Sequence, residues 1–419
     1  MRLPRLLPHD VPRPVLSLQM GGLLNAFGNG VVLPFLLIYF HNVRGISLGL
    51  SGLIVASAAV VALASGPFSG PVVDRFGGKR SLSGALVALF AGFVIVIPAE
   101  GPALAFGAMA LVGLGNGFFW TAQSTLIAGH TTAAQRPSAF AFQRVAMNLG
   151  VGLGALAGGL IADADRPGSF SVIFVVNAAT FVAYLLVLAV LVPDADFGGR
   201  GGAAAGRRSY RDVLRNRPFL GLIGLNALVI FAGMSGLELL PVFAKNETGV
   251  AEHEVGIVFL VNTLVIVVMQ MPISRMGAGR SRMRYVGLLS LVWAGCWVGV
   301  AAVGWSLSAT GAWLALIAVM AVFALGECLH GAVYGPLVAD LAEPELMGRY
   351  MALSALSWQV GFSAGPAIGG FLLEASPSGT WLVLAALCTV AGALALVLEP
   401  RLPARVRRSP VAPADTASA

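Results

Sequence analysis

The sequence predicts an all-α membrane protein, with twelve transmembrane helices arranged as two six-helix pseudo-repeat bundles. Three observations carry that prediction. Of 419 residues, 57% are hydrophobic and only 11% are charged, and the mean hydropathy of +0.85 is far above that of a soluble chain of this size. Apolar runs of about 20 residues, long enough to cross a bilayer, recur twelve times along the chain. Small residues of the first half also reappear in the second at a constant offset of 211.

Residues 1–14 carry Arg2, Arg5 and Arg13 and are broken by four prolines, so they read as a cytoplasmic tail without a cleavable signal peptide. The apolar runs then place helices near 15–40, 47–71, 80–98, 102–128, 139–163 and 169–192. A second set falls near 218–243, 253–275, 284–304, 310–338, 350–374 and 379–399. Runs this long satisfy their backbone in lipid only as helices. Residues 15–192 and 218–399 are the two bundles. Between them, 193–217 begins rich in Gly and Ala and ends in Arg207, Arg208, Arg211, Arg215 and Arg217. That composition predicts a flexible linker followed by a basic segment on the inner membrane face. Residues 400–419, rich in Pro, Ala and Arg, read as a disordered cytoplasmic tail.

Charge placement fixes the orientation. With residue 1 inside, the inner loops hold Arg75, Lys79, Arg80, Arg136, the basic part of the linker, Arg275, Arg280, Arg282, Arg284 and Arg349. The outer loops hold only Arg44, Arg166 and Lys245. This asymmetry predicts a multi-pass protein of the cell membrane with both termini cytoplasmic. It also accounts for the net charge of +7 without nucleic acid as a partner, since no soluble basic domain exists to carry one. Cys296, Cys328 and Cys388 lie in apolar segments without metal or redox spacing, so neither a metal nor a cofactor is expected.

Two motifs are specific. Between the second and third helices, Gly70 to Arg80 concentrates Asp74, Arg75, Lys79 and Arg80 around Gly77 and Gly78, which permit a tight turn. In the fifth helix, Gly154-Ala155-Leu156-Ala157-Gly158-Gly159 matches Gly365-Pro366-Ala367-Ile368-Gly369-Gly370 of the eleventh. The same offset relates Gly150 to Gly361, Asn148 to Gln359, Asp163 to Glu374 and Gly115 to Gly326. Glycines at such positions let helices pack closely. Repeats of this kind place a substrate site at their interface, near the bilayer midplane.

On these residues the chain resembles the major facilitator superfamily of secondary transporters over nearly its whole length. Gly70, Asp74, Arg75, Gly77, Lys79 and Arg80 fit that family's loop motif, with Gly78 displacing the basic pair by one position. The glycines of the fifth helix resemble the motif of the drug-proton antiporter branch, with Ala155 where that branch has Pro. That branch also carries an Arg ahead of a Gly-x-Gly in the fourth helix, and here Leu111 precedes Gly115-Asn116-Gly117. The resemblance implies alternating access, with the motif Asp74 acting as a conformational latch against the start of the eleventh helix.

Ionisable residues inside membrane helices default to functional candidates. Glu327 and His330 share a face of the tenth helix at i and i+3. A carboxyl there is a candidate proton carrier, and His330 is a candidate to exchange protons with it or hold it. Glu238 lies in the outer part of the seventh helix, in the cavity or at the interface, and is a further candidate for proton coupling. Arg144 lies near the inner end of the fifth, where it either binds an anionic group or snorkels. Asn262 and Gln270 of the eighth are expected to bond between helices. In the resembled family the first, fourth, seventh and tenth helices line the cavity. That implies Asn25, Asn29, Asn116, Trp120 and Gln123, together with Glu238, Glu327, His330 and Tyr334, as cavity residues. Amides and aromatics around one or two acids suit amphipathic, even cationic, organic molecules.

The expected function is export of such molecules in exchange for protons, by a monomer in the lipid bilayer. Uptake symport or facilitated movement of a nutrient stays open as an alternative. Neither a Walker A loop nor a catalytic motif is present in the sequence, which argues against an enzyme.

Overall fold

The computed structural model describes residues 12–131, 136–193, 210–277, 279–306, 308–343 and 347–409. Twelve long helices run through them. They are α1 (Arg13–Val43), α2 (Leu48–Phe76), α3 (Gly78–Val96), α4 (Pro102–Gly129), α5 (Arg136–Ile161) and α6 (Gly168–Leu191). There follow α7 (Arg217–Thr248), α8 (Glu252–Met276), α9 (Arg282–Ser306), α10 (Ala309–Leu341), α11 (Met347–Ala375) and α12 (Pro377–Leu398). All but α11 meet a length and hydropathy criterion for spanning within the described residues, and α11 matches them in length at 29 residues. Leu160, Val190 and Val268 are each at least 67% exposed, while Trp293, Trp297 and Trp381 are fully buried. An apolar exterior around a packed interior is what a lipid solvent permits.

The packing repeats. Helix α1 packs on α5 and α6, α4 packs on α2 and α3, and α3 packs on α6. Adding six to each number gives the neighbours of the second half: α7 on α11 and α12, α10 on α8 and α9, and α9 on α12. The halves meet where α2 packs on α11 and α5 on α8, again a related pair. The offset of 211 read from the sequence is visible at the contacts. A Cβ on Gly150 would come within 2.8 Å of Leu23 O on α1, and one on Gly361 within 2.7 Å of Ile230 on α7. Gly154 and Gly158 press on Phe27 and Val31 of α1, as Gly365 and Gly369 press on Ser235 and Leu239 of α7. Gly159 meets Glu252 O of α8, and Gly370 meets Leu48 O of α2, so these two lie at the junction between halves. Pro366 offers its carbonyl to the same junction, against Gly52 of α2.

The structure corrects two expectations. The stretch Gly70 to Arg80 is not a loop: α2 continues through Phe76 and α3 starts at Gly78. One residue makes the whole turn, Gly77, at φ +84° in a region that side chains rarely adopt. Lys79 donates from Nζ to Val192 O at 2.8 Å, at the C-terminal end of α6, where carbonyls lack intrahelical partners. Arg75 lies over the Phe76 ring at 5.4 Å. The side chain of Asp74, and those of 347–349 at the start of α11, lie outside the described residues, as do 1–11, 194–209 and 410–419. The second correction concerns the tail. Residues 400–409 are folded, with Leu402 and Val406 each 1% exposed. Burial of those two side chains supplies the apolar contact that a disordered tail lacks.

Arg44, Lys245 and Arg166, the cations at the end opposite the basic loops, are all engaged. Arg44 donates from Nε to Tyr39 Oη at 2.8 Å, Lys245 pairs with Glu252 at 2.8 Å, and Arg166 lies 3.4 Å from Asp163. At this end α7 passes Pro241 and stops only at Gly249, φ +69°, where Val250 N bonds back to Ala244 O at 3.1 Å.

Candidate functional site

A cavity of 630 Å³ lies between the two halves, lined by side chains of α4, α5, α7, α8, α10 and α11. From the first half come Trp120, Gln143, Arg144, Met147 and Asn148. From the second come Met234, Ile266, Gln270, Glu327, His330, Trp358 and Phe362, beside Gly331. Gln143 and Arg144 stand about two turns from the start of α5, so the cavity lies toward the face that carries the basic residues.

Helix α10 presents the acid and the imidazole, but they do not hold each other. Asn262 of α8 donates from Nδ2 to Glu327 Oε2 at 2.6 Å. His330 bonds through Nε2 to Asn226 Oδ1 of α7 at 2.8 Å. Asn226 Nδ2 in turn donates to Ser357 Oγ of α11 at 2.8 Å, and Tyr334 Oη lies 3.0 Å from the same oxygen. Sharing a helix face is therefore not pairing: each side chain reaches across to a different neighbour, which fixes its position. The His330 ring sits among aromatics, with Trp358 edge-on at 5.0 Å and Tyr334 stacked at 5.2 Å. Arg144 is exposed to the cavity and makes no ion pair or hydrogen bond with a described residue.

Of the nine cavity residues expected, the lining includes Trp120, Glu327 and His330. Gln123 is instead 1% exposed, accepts from Gln143 Nε2 at 2.7 Å and donates to Tyr184 Oη at 3.0 Å, knitting α4, α5 and α6. Tyr334 is held by Ser354 and Ser357, one layer behind the cavity. Asn25, Asn29 and Asn116 do not contribute to this lining, and Asn25 is buried. Glu238 is off the lining too, on the half of α7 away from the basic face, with Oε2 buried and unpartnered among the described residues. For Gln123 and Tyr334 the cause is a helical face that turns toward a neighbouring helix rather than the cavity. Gln270 bridges α8 to Cys328 O of α10 at 3.2 Å, as an interhelical bond, and lines the cavity as well.

Met147 and Trp358 were not singled out in the sequence, although the offset of 211 relates them and both line the cavity. The repeat was the signal that would have found them. It also relates Trp120 to Gly331, opposite in size and both in the lining.

At the far end from the basic face the halves are joined. Gly49 N, in the first turn of α2, donates to Glu374 Oε2 at 2.9 Å, and Ala164 N donates to Glu252 Oε1 at 3.0 Å. Asn42 Nδ2 donates to Asn246 Oδ1 at 2.8 Å.

The family described as Major Facilitator Superfamily matches residues 18–246 and 239–418. The chain is similar to a Na(+), Li(+), K(+)/H(+) antiporter of Planococcus maritimus, 24% identical over 80% of this chain and 84% of that protein. It is also similar to the multidrug resistance protein MdtH of Aeromonas salmonicida, 23% identical over 88% of this chain and 90% of that protein. In fold it resembles a POT family transporter solved with 5-aminolevulinic acid, with a TM-score of 0.76, 14% identity and 95% and 99% of the two chains covered. The inward-open xylose transporter XylE of E. coli superposes with a TM-score of 0.69 and 18% identity, over 93% and 95% of the chains.

Proposed function

The chain belongs to the major facilitator superfamily, a family of transporters rather than enzymes, and on that premise we propose that it exports small amphipathic organic molecules in exchange for protons. The observation that carries the reading is the cavity between the halves, which joins Trp120 and Trp358, two flat apolar surfaces, to one acid, one imidazole and one unpaired cation. Its relatives in sequence include a cation/proton antiporter and multidrug resistance proteins, which supports exchange over uptake.

Glu327 is the proton carrier in this reading. Asn262 donates to its Oε2 and so holds a charged carboxylate in place while leaving the carboxyl against the cavity. His330 positions the aromatic wall through Asn226 rather than serving the acid. Glu238, away from the lining, is a supporting acid of the outer half. Arg144 sharpens the substrate class. An unpaired guanidinium in a cavity repels a pure cation and attracts a carboxylate or phosphate. We therefore assign an amphipath that bears an anionic group, alone or as a zwitterion, in place of a simple organic cation.

In this reading transport proceeds by alternating access, and the contacts closing one face support it. The basic face is cytoplasmic by its charge, and the bonds of Glu374 and Glu252 close the opposite face, so this conformation faces inward. The α5–α8 and α2–α11 junctions, with Gly159 and Gly370 at closest approach, are where the halves rock. Asp74 stabilises the alternative, outward-facing state against the start of α11.

Proteoliposomes loaded with a fluorescent aryl carboxylate, with a pH gradient imposed in either direction, test the reading. Efflux accelerated when the outside is acidic supports exchange. Uptake accelerated by the same gradient establishes the symport alternative instead, and no flux of any amphipath in either direction sinks the assignment.

A further inference from the structure

On the basic face a second cavity, of 490 Å³, forms where the segment after α12 folds back on the turn between α8 and α9. Backbone bonds tie the two together. Gly279 N donates to Ser409 O and Ser409 N to Arg280 O, both at 3.0 Å, and Arg282 N donates to Arg407 O at 2.9 Å. Beside the lining, the buried Arg282 pairs with Asp340 at 2.6 Å and donates to Val406 O at 3.4 Å, which ties the folded-back segment to α10.

This fold-back brings Arg280, Arg284, Arg407 and Arg408 to one lining, with Glu399 as the acid among them. Glu399 is already committed, accepting from Ser281 Oγ at 2.7 Å and lying 3.8 Å from Arg284 Nε. Arg407 spends donors on Pro400 O at 2.7 Å and Leu402 O at 2.8 Å, which holds its guanidinium in place. The Arg408 side chain has no hydrogen-bond or ion-pair partner among the described residues. Four arginines thus line one cavity whose lining holds a single carboxylate, with Arg280 donating to Tyr285 Oη at 3.4 Å. Like charges gathered in this way repel, and an anion among them reverses the sign. The depth is also informative. Helix α9 starts at Arg282 and α12 ends at Leu398, so the cavity lies at the helix ends, the level of lipid headgroups.

We propose that this cavity is a binding site for a phosphate-bearing anion, and that its source is the headgroup of an anionic phospholipid in the leaflet that meets the basic face. Guanidinium forks match phosphate oxygens in pairs, and basic pockets at the cytoplasmic ends of membrane helices suit such headgroups. The bound headgroup bridges the folded-back segment to the α8–α9 turn, joining the end of one helix pair to the loop of another. None of this depends on what the central cavity carries.

The test uses the full-length protein in detergent, titrated with phosphatidylglycerol, phosphatidylcholine or inorganic phosphate, with bound lipid counted by native mass spectrometry. Phosphatidylglycerol is expected to bind and phosphatidylcholine not to. The Arg280→Gln/Arg408→Gln pair removes two charges from the cavity and is expected to weaken phosphatidylglycerol binding about thirtyfold. The Arg215→Gln/Arg217→Gln pair removes the same charge elsewhere on the basic face and is expected to change it less than about twofold. The Arg280→Lys/Arg408→Lys pair keeps charge but loses the forks, and an intermediate loss is expected in a protein that folds as the wild type does. Equal weakening by both glutamine pairs, or equal binding of phosphatidylcholine, overturns the site. Inorganic phosphate that saturates and displaces phosphatidylglycerol at millimolar concentration overturns the lipid as source and identifies free phosphate.

Discussion

Arg144 of α5 and Glu327 of α10 line one cavity from opposite halves of the chain, and they are treated differently by their surroundings. Asn262 holds the carboxylate at 2.6 Å, while the guanidinium has no described protein partner. An engaged acid and a cation without a described protein partner are the two features on which the proposed exchange of an anion-bearing substrate for a proton rests.

Replacing Glu327 by Gln is the direct test of coupling. The amide keeps a group for Asn262 to bond but cannot carry a proton. Substrate binding in detergent is expected to exchange protons with the medium in the wild type and not in Glu327→Gln, read with a pH indicator in weakly buffered solution, with release marking antiport and uptake marking symport. Transport by Glu327→Gln that still follows a pH gradient would falsify the assignment.

Arg144 is tested by binding alone. Trp120 and Trp358 line the cavity, so an aryl carboxylate is expected to quench their fluorescence, and Arg144→Gln to weaken that binding by about ten- to a hundredfold, the loss of one charge-assisted contact. Arg144→Lys should lose less. A quaternary ammonium probe that binds the wild type as tightly as the carboxylate, and is indifferent to Arg144→Gln, would return the substrate class to organic cations while leaving transport intact.

The outer closure predicts a shift in population. Glu252→Ala removes the partner of Lys245 and of Ala164 N together, and Glu374→Ala frees Gly49 N. With spin labels at Ser47 and Glu247, exposed residues at that end, electron–electron distance measurements on the double variant are expected to gain a longer component. Asp74→Asn is expected to act in the opposite sense, depleting that component. An unchanged distribution in Glu252→Ala/Glu374→Ala would mean that these bonds do not hold the outer face.

Helix packing gives a stability prediction. A Cβ on Gly154 collides with Phe27 O of α1, so Gly154→Val forces backbone apart and is expected to cost about 1–3 kcal/mol. The melting temperature in detergent should fall by several degrees, and so should that of Gly365→Val, its counterpart against Ser235. Gly107, which has open space around it, should accept Ala at no such cost.

Twelve spans, the six-plus-six repeat and the glycine contacts were legible in the sequence, because each is written in local hydrophobicity or in a fixed offset. The extent of α2 was less so. Pro67 and Pro71 suggest an early stop, yet the helix carries both and ends at Phe76. Within the site, Trp120, Glu327 and His330 were readable from residue type and helix order. Gln123 and Tyr334 were not, since the direction in which a helix face points depends on its rotation against its neighbours. The partners of Glu327 and His330 were equally hidden, because Asn262 and Asn226 come from other helices.

By itself the sequence determined that this chain spans a membrane, that it is built twice from one plan, and which few ionisable groups the interior contains. Those properties follow from the cost of polar groups in lipid, which is paid residue by residue and so can be read residue by residue. Only the tertiary structure decided which of those groups share a cavity, that Arg144 stands there unpaired, and that Arg407 and Arg408 fold back beside Arg280 and Arg284. Each of these depends on contacts between distant segments, and no single segment's hydropathy or spacing encodes how it will be turned toward another.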